Sequence, residues 1–69
     1  MNRANKVMEK VEEMIDESEK PSVQRLSTEL GMHEADVHGC LNLLEREGRI
    51  ETYTKKLFGD RTRFVALKR

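Results

Sequence analysis

The sequence predicts a single small domain of the α+β class, mostly α, with three helices followed by a C-terminal β-hairpin. Three observations predict it. Apolar residues recur at helical spacing through the first two thirds of the chain, and glycines stand where two of those stretches end. After Gly48 the period drops from 3.6 to about 2. Sixty-nine residues make one domain, 1–69, of marginal size. Only 36% are apolar and 4% aromatic, enough for one thin core and no second layer.

Ala4, Val7, Met8, Val11, Met14 and Ile15 repeat at i, i+3, i+4 and i+7, which places a first helix over residues 3–17. Pro21 cannot continue it and biases Lys20 away from helical dihedrals. Ser22 is a competent N-cap for a second helix over 22–30, with Val23, Leu26 and Leu30 inward and Gly31 closing it. A third helix over 34–47 carries Val37, Cys40, Leu41 and Leu44 on its inner stripe, and Gly48 stops it. His33 is a weak N-cap, but Glu34 and Asp36 in the first turn suit the helix dipole. The β-formers of Arg49–Thr54 and Thr62–Leu67 then pair as an antiparallel hairpin over 49–67. Residues 55–61 form the arm between them, and Gly59-Asp60 supplies the turn chemistry.

The 13 basic and 13 acidic residues cancel, yet they are segregated. Residues 1–20 carry a net −2, residues 21–48 a net −3, and residues 49–69 a net +5. A basic element on an acidic body is what a phosphate backbone seeks. The competing reading is that exposed strands carry Lys and Arg against edge-to-edge pairing. A single Cys leaves no internal disulfide and no multi-thiolate metal site. No segment reads as a membrane span or as a leader, so a soluble, cytoplasmic chain is expected.

The order of elements and the residues at their junctions resemble the winged helix-turn-helix family of small prokaryotic, archaeal or viral regulators. The resemblance covers nearly the whole chain. Val23 through Met32 match the second helix and its turn, where Leu26 and three polar residues lead into leucine-glycine-hydrophobe at Leu30-Gly31-Met32. Val37 through Leu41, then Leu44-Glu45-Arg46-Glu47-Gly48-Arg49-Ile50, match the third helix running into the hairpin. The resemblance implies a DNA-binding transcriptional regulator, with the third helix in the major groove of double-stranded DNA and the wing on phosphates.

On that implication the reading face of helix three is Glu34, Ala35, His38, Gly39 and Asn42, opposite the buried stripe. It departs from the usual pattern, because no Lys or Arg lies between Met32 and Glu45. Arg or Lys bonded to guanine therefore cannot come from this face. Asn42 can read adenine, His38 can donate to a phosphate or base edge, and Ala35 and Gly39 permit close approach. A solvated helix face is the plain alternative. The wing gathers Lys55, Lys56, Arg61 and Arg63, with Arg49, Lys68 and Arg69 nearby. Roughly four to six phosphate contacts of this kind give salt-sensitive binding. Ser22 and Arg25 are further phosphate candidates, although Ser22 serves equally as a plain cap.

Met8, Met14, Leu43 and Phe58 are candidates for contact with a second copy, since homodimers are common in this family and burial is scarce in a domain this small. Phe58, with Leu57, can also fold back on the hairpin or act as an apolar wedge in a minor groove. The rival function is a protein-interaction module that uses the acidic, small-residue face of helix three. His33 and His38 are five apart, about 140° around a helix, and so do not form the paired ligands of a zinc motif. No metal, no cofactor and no catalytic set is expected, and the chain does not read as an enzyme.

Overall fold

The computed structural model describes residues 2–68. Its elements are α1 (Arg3–Asp16), α2 (Val23–Leu30), α3 (Glu34–Arg46), β1 (Ile50–Leu57) and β2 (Asp60–Leu67). Three helices followed by a two-stranded antiparallel hairpin is the architecture expected from periodicity. Arg69 lies outside the described residues.

Each helix begins and ends for a local reason. The Asn2 side chain accepts a hydrogen bond from the Ala4 backbone N–H at 2.8 Å and opens α1. At the other end Ser18 takes φ 62°, and the Glu19 N–H reaches back to the Met14 carbonyl at 2.8 Å. That left-handed cap stops α1 ahead of Pro21, so the proline is not the terminator. Ser22 Oγ accepts from the Arg25 N–H at 3.2 Å to open α2. Gly31 at φ 63° closes it, with the Met32 N–H on the Ser27 carbonyl at 3.1 Å. His33 starts α3 without any side-chain cap bond.

Pro21 and Ser22 have a role that local spacing does not reveal. The Pro21 carbonyl accepts from the Val65 N–H at 3.0 Å, and Ser22 bridges antiparallel to Phe64. The segment ahead of α2 thus covers part of the β2 edge, and both residues are buried.

The hairpin register pairs Ile50 with Leu67 at the base and Leu57 with Asp60 at the tip. Its turn is therefore Phe58-Gly59 and not Gly59-Asp60, and residues 55–57 and 60–61 belong to the strands rather than to an arm. Phe58 and Gly59 both have positive φ, 50° and 87°, the pattern of a two-residue type I′ turn. Such a turn follows the right-handed twist of the strands, so pairing continues to the tip.

The core is one cluster drawn from every element: Ala4, Val7, Met8, Val11 and Met14 of α1, Val23 and Leu26 of α2, Val37, Leu41 and Leu44 of α3, Ile50 of β1 and Val65 of β2. Leu30 and Cys40, expected inside, pack half-buried at its margin. No aromatic ring takes part; Tyr53, Phe58 and Phe64 all stand on the hairpin. Each fully buried Val or Leu contributes about 1.5–3 kcal/mol by leaving water.

Candidate nucleic-acid interface

At 100° per residue, burying Val37, Leu41 and Leu44 turns Ala35, Gly39 and Asn42 outward, and all three are exposed. His38, Asn42 and Glu45 follow one another at i, i+4 and i+7 as a polar stripe along the same side of α3. Arg63 of β2 lies across that stripe. One guanidinium nitrogen is 3.0 Å from His38 Nδ1, and another is 3.0 Å from Asn42 Oδ1 and 3.4 Å from Glu45 Oε1. Glu45 Oε2 is held in turn by the Thr52 hydroxyl at 2.8 Å and the Thr52 N–H at 3.3 Å. The result is a polar clasp between α3 and both strands.

The clasp fixes what the face offers to a ligand. A guanidinium only donates, so His38 Nδ1 accepts and the imidazole proton sits on Nε2. Asn42 Oδ1 accepts as well, which leaves its NH2 group as the free end. The donors left on this side of α3 are the His38 Nε2–H and the Asn42 NH2, beside the exposed carboxylates of Glu34 and Glu45, while Arg63 itself is largely covered. Reading adenine needs both ends of the Asn42 amide, and one end is occupied. The face matches acceptors instead, such as phosphate oxygens or the guanine edge. No Lys or Arg lies on α3 ahead of Arg46, and the guanidinium that the hairpin brings to this face, Arg63, is bonded to His38, Asn42 and Glu45.

Strand alternation continues the positive charge outward. Residues opposite each other share a hairpin face, so Thr54 and Arg63, then Lys56 and Arg61, follow Val65 on the side that meets the helices. Lys56 and Arg61 are exposed and, like Lys55, make no ion pair among the described residues. The other face carries Glu51 and Ala66, Tyr53 and Phe64, Lys55 and Thr62, and Leu57 and Asp60. The Tyr53 and Phe64 rings stack at 5.6 Å between centroids, with Lys55 Nζ 5.9 Å from the Tyr53 centroid. Those side chains, with Lys20 and Leu57, line an open cleft of about 160 Å³.

The remaining candidates fall elsewhere. Ser22 Oγ accepts the α2 cap bond, which leaves its O–H proton unused, but the residue is 5% exposed and so is poorly placed for a phosphate. Arg25 is exposed but paired with Glu19, and that hydrogen bond holds the Glu19 carboxyl below its ordinary range. A Cβ built on Gly39 meets nothing within 4 Å, so no part of this chain requires the glycine. Met8 and Met14 are core residues, 7% and 2% exposed, which removes them from any surface for a second copy. Leu43 is exposed on α3, and Phe58 is fully exposed at the hairpin tip. Cys40 is half-buried, and burial pushes its thiol up. Among the described residues no three His, Cys, Asp or Glu gather as a metal site, and no helix is long and apolar enough to cross a membrane.

Glu45 and Thr52 were not among the residues singled out from the sequence. The i, i+4, i+7 polar stripe of His38, Asn42 and Glu45 was the available signal for the first. Nothing local marks Thr52.

Three helices, the last two joined by a short turn, with a twisted basic hairpin clasped to the third, define a winged helix-turn-helix domain. More narrowly, the chain belongs to the FeoC-like transcriptional regulators, whose family model matches residues 7–62. No curated protein and no solved structure matched.

Proposed function

We propose that this regulator binds double-stranded DNA with α3 in the major groove and the hairpin along adjacent phosphates. The observation that carries the reading is the seat of Arg63. By occupying the acceptors His38 Nδ1 and Asn42 Oδ1 it leaves the Nε2–H and NH2 donors of those residues for a ligand, and Lys56 and Arg61 follow on the same side of the hairpin. Acceptors on phosphates and on guanine are the complementary chemistry. Ala35 and Gly39 leave room for close approach. Two copies on one duplex complete the proposal, with Leu43 as the exposed apolar residue on the helix body.

The test is fluorescence anisotropy on a mixed-sequence duplex across a salt series. The wild type runs beside a variant with Lys55, Lys56 and Arg61 changed to Ala. Binding should weaken linearly in log salt, at about 0.9 per phosphate neutralised, and the triple variant should lose about 2.7 of that slope. A folded wild type that ignores duplex even at low salt refutes the reading. It transfers the outer face of α3, with Glu34 and Asp36 in its first turn, to a protein partner.

A further inference from the structure

Phe58 takes no part in the core or in the clasp. It is fully exposed, 104% of its reference surface, at the very tip of the hairpin. Its backbone is also unfavourable, since φ is 50° at the first central position of a type I′ turn, where Asn or Gly is preferred. An Asn-Gly pair would build the same turn with less strain and without an apolar ring in water. Every residue from Tyr53 to Arg61 is exposed, so the tip stands clear of the body. Lys56 and Arg61 are the pair two steps back from the tip, and Lys55 stands on the opposite face.

We propose that Phe58 is a wedge that inserts part-way between two base pairs from the minor groove. Lys55, Lys56 and Arg61 hold the flanking phosphates. This deepens the DNA reading above and rests on it. A rigid aromatic ring at the end of a cationic arm suits a site that is apolar between stacked bases and anionic at its rim. Pyrimidine–purine steps unstack most readily and are the steps it enters. Ring-to-ring packing of two copies is disfavoured by comparison, because it brings Lys56 and Arg61 of both tips together.

The experiment places 2-aminopurine at a central thymine–adenine step of a duplex and titrates in wild type or Phe58→Asn. The Asn variant suits the turn, so it should melt higher than wild type and any loss of binding is not a loss of fold. Wild type should raise the 2-aminopurine emission as the base unstacks. Phe58→Asn should bind about tenfold more weakly, with an unchanged salt slope and no rise in emission. Equal binding by the two proteins, with emission flat in both, overturns the wedge and leaves the DNA reading standing. Absence of duplex binding by wild type overturns both. A variant that changes only the sedimentation coefficient identifies Phe58 as a contact between copies and overturns the wedge.

Discussion

Arg63 is the residue on which the candidate interface turns. It has three acceptors on α3 within 3.4 Å, and its side chain is only 16% exposed. A planar fork can serve three acceptors at once, whereas an ammonium is a point charge. Arg63→Lys should therefore keep the charge and still lose most of the clasp. Thermal melts are expected to show Arg63→Ala and Arg63→Lys destabilised alike, by about 1 kcal/mol. Duplex titrations should show Lys recovering the salt slope but not the affinity. If Lys restores both stability and affinity, the geometry of the clasp is irrelevant and only the charge counts. At Cys40 the raised thiol pKa means less thiolate at neutral pH than an ordinary cysteine holds. Alkylation at pH 7 should accordingly be slower than for a free thiol and accelerate as pH rises past the usual thiol range.

At the level of elements, two glycines make the same substitution act in opposite directions. Gly39 lies in the interior of α3, and an added methyl meets nothing within 4 Å. Gly39→Ala should stabilise the domain by about 1 kcal/mol, raising Tm by roughly 4–8 °C. The same methyl stands on the face proposed for the groove, so duplex binding should fall while stability rises. Gly31 has equally open surroundings but sits at φ 63°, where a Cβ collides with its own carbonyl. Gly31→Ala should cost about 1 kcal/mol, and a melt that fails to drop would show that the α2 cap can relax. The hairpin is held at its root as well as by its turn. Pro21 and Ser22 cover part of the β2 edge, and the clasp ties Thr52 and Arg63 to α3.

Over the whole molecule, neutrality hides a polarity. Residues 1–48 carry a net −5 and residues 49–69 a net +5. A polyanion should therefore be met by the C-terminal third first, an effect that salt should screen within about a Debye length of 10 Å. The core is small and holds no aromatic ring, so additional burial should have a large effect on stability. A homodimer seated on Leu43 should make Tm rise with protein concentration, and Leu43→Lys should abolish that rise. A Tm independent of concentration in the wild type would remove Leu43 from the proposal and leave single copies on the duplex.

Local pattern determined much of this protein. Apolar spacing, Gly31 and Gly48, and the switch to alternating β-formers specify three helices and a hairpin, because each depends only on neighbours a few residues apart. The charge segregation and the outward residues of α3 were legible for the same reason. Tertiary structure alone decided that Arg63 joins His38 and Asn42, more than twenty positions earlier, and that Glu45 holds Thr52. It also decided that Met8 and Met14 are core and that Pro21 and Ser22 flank β2. Periodicity specifies which face of an element is apolar. It does not specify which element that face meets or in what register, and register is where the polar contacts of the candidate interface are made.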